Sequence, residues 1–260
     1  MASDMKEIAG KLEGNLYGNW YVKTAYPTSY KGNKAILAVL NRKEEENEEI
    51  VFIYSNSFEE AREKIERFEE LNLDIEDYLN VSNYYVRAIN EKHGYKKPMK
   101  RLSELDVVLI PYLRTENGIK RLTEEDYPLT GYNFSQFMSF AFENIKAEIS
   151  IVGTFEFLSK YGDFEFPDFE IDDPLKIIRH GWEPWSTGLL GDLNWMRDIW
   201  KELGDFYIVP SSVSELLICS TRKMDLASLK QASGGVVDLG TEILSEKIYL
   251  FDGLSLSAIA

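Results

Sequence analysis

Gly204-Asp-Phe-Tyr-Ile-Val-Pro-Ser-Ser-Val-Ser-Glu-Leu-Leu-Ile218 is the stretch whose reading decides the fold. Two short apolar runs, Phe206–Val209 and Leu216–Ser220, flank Pro210. Proline cannot donate to a strand ladder, and Ser211 and Ser212 beside it are suited to capping a turn. A third run, Ile248–Phe251, follows a helical segment over Asp225–Gln231 that the Gly234-Gly235 pair is expected to end. Short buried strands with an intervening helix make the C-terminal end α+β.

The same alternation extends towards the N-terminus. A short helix is expected over Asp4–Glu13, then strands over Trp20–Tyr26, Lys34–Asn41 and Ile50–Tyr54, spaced for antiparallel pairing. Ser57 is an N-cap with Glu60 three residues on. Phe58, Ala61, Ile65, Phe68 and Leu71 then form one apolar helical stripe, with Glu59, Glu63, Glu66 and Glu70 facing away. A strand is expected over Val81–Ile89, and Val107–Leu113 reads as an edge or bulged strand because Pro111 interrupts it. Asn117-Gly118 marks a turn. Helices follow over Phe134–Ile145, Phe155–Leu158 and Leu189–Leu203, with a connector rich in Phe, Asp and Pro at Tyr161–Pro174. The fold class is α+β, with mixed or antiparallel sheets packed with helices in two subdomains, residues 1–122 and 123–260. The polar stretch Thr115–Glu125 is the junction, and a single continuous domain is the alternative.

The chain has 260 residues, 44% hydrophobic and 13% aromatic, enough for one sizeable core or two modest ones. A single cysteine, Cys219, excludes a disulfide framework and a thiolate metal site and fits a reducing, cytoplasmic setting. No leader is expected at the N-terminus, and no segment reaches the ~18–20 consecutive apolar residues of a membrane span. The net charge of -15 argues against direct nucleic-acid binding by the surface as a whole.

The segment Asp205–Ile218, together with Leu244-Ser-Glu-Lys-Ile-Tyr249 and Phe251-Asp252, resembles the C-terminal part of an uncharacterised Gram-positive protein family common on mobile elements. Upstream, Val86-Arg-Ala-Ile-Asn90 followed by a proline-containing loop and Leu105-Asp-Val-Val108 is similar to the family's order of strands. Where that family commonly carries a histidine, this chain has Ser214. The resemblance implies transfer, maintenance or counter-defence on a mobile element as the context, and assigns no mechanism.

Candidate chemistry is sparse. Serine nucleophiles need a base, and the two histidines are His93, in a lysine-rich loop, and His180, read as a helix-end residue before Gly181. Asp163, Glu165, Asp168, Glu170, Asp172 and Asp173 lie in the connector without an intervening Lys or Arg, but their spacing does not fit a calcium loop. An acidic surface loop anchored by Phe164, Phe166 and Phe169 accounts for them, and Pro167-Asp168 lacks the lysine of a nuclease motif. Gly188-Leu-Leu-Gly191 is too short to cradle phosphate. Trp182, Trp185, Trp195 and Trp200 form either core or an aromatic platform. No cofactor or metal is expected.

Charge is the remaining functional signal. Between Lys43 and Asp77 there are 14 acidic and 4 basic residues, a net of -10. One reading is a solvated helix face held by Glu60–Lys64 and Glu63–Arg67 pairs. The other is a partner-binding surface of Glu59, Glu63, Glu66 and Glu70, joined by Asp163, Asp168 and Asp172, that imitates a run of phosphates and occupies a basic protein surface. The expected function is then that of a non-enzymatic acidic protein, a phage or mobile-element inhibitor of a host defence nuclease. The competing expectations are an enzyme with a carboxylate- and Trp-lined site, recognisable by a pocket and a shifted carboxylate, and a structural or toxin-neutralising partner. The segment Arg87–Arg121, with nine basic and four acidic residues, raises the further expectation of a homodimer in which it meets the acidic helix of a second copy.

Overall fold

A computed structural model describes residues 2–30, 33–42, 48–55, 57–68, 71, 73–93, 99–102, 104–161, 173–181, 183, 185–210, 212, 214–236 and 244–259. Along the first part of the chain run α1 (Ala2–Leu12), β1 (Leu16–Tyr17), β2 (Trp20–Tyr30), β3 (Asn33–Arg42), β4 (Glu48–Ile53), α2 (Phe58–Glu66) and α3 (Ile75–Leu79). Next come β5 (Tyr84–Asn90), β6 (Lys100–Arg101), β7 (Val107–Arg114), β8 (Gly118–Arg121) and α4 (Phe134–Glu148). The remainder contains β9 (Ser150–Gly153), α5 (Thr154–Tyr161), β10 (Leu175–Arg179), α6 (Leu193–Leu203), β11 (Phe206–Val209), β12 (Glu215–Ser220), α7 (Leu226–Val236), β13 (Tyr249–Phe251) and β14 (Leu256–Ala258). Helices and antiparallel sheets together make the fold α+β.

The chain divides into two compact units, Met1–Tyr84 with Tyr112–Asn133, and Tyr85–Pro111 with Phe134–Ala260. The junction expected at Thr115–Glu125 falls inside the first unit. Residues 85–111 belong with the C-terminal part because Asn90 and Asp106 bond to residues near 245.

In the first unit, β1, β2, β3, β4 and β8 pair in that order, each antiparallel to the next. The alternating apolar residues of β2, β3 and β4 face α1 and α2. Leu12, Val22, Ile36, Leu40, Ala61 and Ile65 are all but inaccessible in the core between them. Ser57 caps α2 as its spacing requires, its hydroxyl accepting from the Glu60 N–H at 3.2 Å. The helix stops at Arg67, one turn short of the apolar stripe that ran to Leu71. Gly118 is obligatory in β8, because a Cβ there would collide with the Ile50 carbonyl oxygen.

Strand β7 corrects an expectation. It is buried along its length, and Pro111 sits where its pairing changes hands: Val108 and Leu109 pair with β6, whereas Tyr112, Leu113 and Arg114 pair with β8. Neither ladder includes Pro111, so its missing N–H goes unused there.

In the second unit, six strands pair antiparallel in the order β14-β13-β11-β12-β10-β9. The opening Gly204–Ile218 stretch supplies β11 and the start of β12, paired Ile208↔Ile218 and Val209↔Leu217. Leu175, Ile177, Val209, Leu217, Cys219, Leu229 and Ile248 build one core. Helix α7 runs through Gly234 and Gly235, which were expected to end it; glycine weakens a helix by about 1 kcal/mol per residue without stopping it. The apolar stretch Leu189–Leu203 splits into a 3₁₀ turn (Ser186–Gly191) and α6, because the Asp192 carboxylate caps α6 by accepting from Asn194 and Trp195. Among the described residues no helix is long and apolar enough to cross a membrane.

Candidate functional site

Of the acidic residues expected to meet a partner, Glu59, Glu63 and Glu66 lie exposed on α2, while Ala61 and Ile65 of the same helix are buried. Glu70, Asp163, Asp168 and Asp172 lie outside the described residues. The α2 carboxylates have neighbours of opposite charge one turn away. Glu60 meets Lys64 at 2.7 Å, Arg62 meets Glu66 at 3.5 Å, and Arg67 meets Glu63 at 3.6 Å. Lys64 also donates to the Tyr54 carbonyl. These exposed pairs are worth about 0–1 kcal/mol each, so a partner carrying several cations can displace them at little cost. Beside α2 lies an apolar cleft of about 310 Å³, walled by Leu40, Val51, Ile53, Ile65, Phe68 and Leu71, with Lys64 and Asn117 as its polar lining.

The second polar constellation lies in the second unit and was not singled out from sequence. Asp106 accepts from the Tyr249 hydroxyl at 2.7 Å, from Ser245 Oγ at 2.9 Å to each oxygen, and from the Asn90 amide at 3.4 Å. The Asn90 amide also donates to the Leu244 carbonyl at 3.0 Å, and Ser245 Oγ accepts from the Lys247 N–H. Burial pushes the Asp106 carboxyl up, but the Tyr249 and Ser245 hydrogen bonds, aided by Lys247, outweigh it and hold the group below its ordinary range. Burial, with the Asp106 charge adding to it, drives the Tyr249 phenol well above its own. A carboxylate so fully engaged has no vacant lone pair for a substrate proton; it fastens residues 244–249 to the start of β7.

The tryptophans separate. Trp185 is 1% exposed, and its indole N–H donates to the buried Glu183 carboxylate at 2.7 Å. Trp195 is buried in α6, and Trp200 is partly exposed with its indole bonded to Asp205 at 2.8 Å. Trp182 lies outside the described residues. His180 is not a helix-end residue: it follows β10 in an isolated bridge with Glu183 and is 4% exposed. Its Nε2 lies 2.8 Å from Glu148 Oε2, off the N–H direction, so the contact is electrostatic. Tyr85 donates to the other Glu148 oxygen at 2.7 Å and packs edge-on to His180 and tilted against Trp185. Arg179 is pinned by two bonds to the Gly181 carbonyl and stacks 4.8 Å over Phe157. Burial raises the Glu215 carboxyl despite Arg179 nearby.

Other sequence candidates have structural roles. Asp173 accepts from Thr154 Oγ1 at 2.8 Å and from the Phe155 N–H at 2.7 Å, tying α5 to β10, and no metal-binding group of three side chains occurs among the described residues. Ser212 caps a turn by accepting from the Ser214 N–H. Gly188 and Gly191 admit close packing, since a Cβ on either would strike the Val86 carbonyl oxygen or the Leu109 side chain. The Cys219 thiol is buried, and burial pushes its pKa up, away from the reactive thiolate.

No protein-family model matches the chain, and neither a curated protein nor a solved structure matches it significantly.

Proposed function

We propose that the protein works by binding rather than by catalysis, offering the exposed face of α2 to a basic surface on another macromolecule. The observation that carries this reading is the placement of Glu59, Glu63 and Glu66 on the solvent side of a helix whose Ser57 cap and buried Ala61 and Ile65 fix it in place. Their ion pairs with Arg62 and Arg67 are surface pairs, weak enough to exchange for a denser array of cations. In its finer form the proposal is an acidic inhibitor encoded by a phage or mobile element, which occupies the nucleic-acid groove of a host defence nuclease. The net charge of -15 supports fast, salt-sensitive association with such a groove.

The test is capture from a host-like lysate by the immobilised chain at low and at moderate salt, alongside a Glu59→Gln, Glu63→Gln, Glu66→Gln variant. The expected result is a nucleic-acid enzyme retained at low salt, released as salt rises, and missing from the variant's catch. Equal capture by the variant, or nothing above background, removes the proposal.

A further inference from the structure

Strand β14 is an edge of the six-stranded sheet, and its ladder with β13 settles which way its backbone groups point. The Ile259 N–H donates to the Ile248 carbonyl, the Asp252 N–H donates to the Ser255 carbonyl, and Ser257 stands opposite Leu250. Residues 255, 257 and 259 therefore use their backbone groups on β13, and the N–H and C=O of Leu256 and Ala258 point outward from the edge. Among the described residues nothing pairs with them.

Natural edges of this kind are blunted with lysine, proline or inward-pointing charge. This one has none: Leu254-Ser-Leu-Ser-Ala-Ile-Ala260 contains no charged residue and no proline. Its side chains are apolar and accessible, Leu254 at 78% and Ile259 at 37%. The hairpin tip is also held rigid. Asp252 Oδ1 accepts from the Leu254 and Ser255 N–H groups at 2.9 and 2.8 Å, and Gly253, at φ +88°, lies so close to the Trp200 ring that a Cβ would fall 2.7 Å from it.

We infer that β14 pairs with β14 of a second copy of this chain, antiparallel about a two-fold axis through Ser257. In that register Leu256 of each copy faces Ala258 of the other, and their outward N–H and C=O groups satisfy one another reciprocally. The charge distribution selects this occupant. Two chains of net charge -15 repel over most of their surfaces, and an uncharged edge is where two of them can approach. The two-fold register also keeps the edge closed, whereas pairing of β14 with the opposite edge strand, β9, would build an open filament.

The register makes a sharp test. Ser257 lies on the axis as a non-hydrogen-bonded pair, in which opposed Cβ atoms approach to about 4.5–5.5 Å, near the reach of a disulfide. Mild oxidation of a Ser257→Cys variant should give a covalent dimer, with the buried Cys219 contributing nothing. Sedimentation of the wild-type chain at concentrations up to about 1 mM should show twice the chain mass. Ala258→Pro removes an outward N–H and leaves the β13 ladder intact, so the dimer should dissociate at least about tenfold more readily, with an unchanged circular dichroism spectrum. A monomer at every concentration with no cross-link, a mass that keeps growing with concentration, or a dimer indifferent to Ala258→Pro would each overturn the inference. The Ser257→Cys result stands alone if the proline variant does not fold.

Discussion

Helix α2 in the first unit and the Asp106 cluster in the second are both built from charged and hydroxyl side chains, yet they use them in opposite ways. On α2 each pair joins residues four apart, in solvent, at 2.7 to 3.6 Å. At Asp106 one carboxylate gathers Asn90, Ser245 and Tyr249, partners as far as 143 residues away in the chain. Water replaces the first kind of contact almost without loss. Partial burial denies that replacement to the second, so each lost bond leaves an unsatisfied donor. Charge on α2 is thus available to a partner, whereas charge at Asp106 is committed to the fold.

The largest effect that would sharpen this contrast is expected from Asp106→Ala, which strands the Tyr249 and Ser245 hydroxyls and should lower stability by about 2–4 kcal/mol in urea unfolding. Because the Asp106 pKa is depressed in the folded state, its contribution is present above the ordinary carboxylate range and lost as pH falls through the lower folded value. Wild-type stability minus that of Asp106→Asn should therefore shrink below about pH 4.

Tyr249→Phe comes next, at about 1–2 kcal/mol, since it removes one charge-assisted bond while keeping the ring. High pH probes the tyrosines from the other side. Burial raises the Tyr84 and Tyr127 phenols to about 12, and that of Tyr249 is raised further. Groups with raised folded values contribute fully below the unfolded value, about 10, and lose that contribution as pH rises through the folded one. Thermal unfolding temperatures should fall steeply from about pH 10 upward, and less steeply in Tyr249→Phe. On α2, Ser57→Ala should cost about 1 kcal/mol through the lost cap. Glu63→Gln should cost under about 0.5 kcal/mol, and a larger loss there would break the contrast.

The same division explains what could be read from the sequence. The Ser57 cap, the α2 face and the pairing partners of β2, β3 and β4 follow from local spacing, because helical and strand periodicities are properties of neighbours. Strand β7 was misread at Pro111 because the change of ladder partner depends on which strands arrive beside it. His180 was misread because Gly181 marks a turn after a strand as readily as a helix end. The Asp106 cluster has no periodic signature. Its only trace was that Val86–Asn90, Leu105–Val108 and Leu244–Tyr249, three segments quoted for a family resemblance, each contribute a member.

The most direct measurement is urea unfolding of Asp106→Ala beside the Glu59→Gln, Glu63→Gln, Glu66→Gln variant under one set of conditions. The account predicts a clearly lowered midpoint for Asp106→Ala and a midpoint for the triple variant within about 1 kcal/mol of wild type. A triple variant that unfolds early while Asp106→Ala holds would contradict it, placing the structural charge on α2 instead.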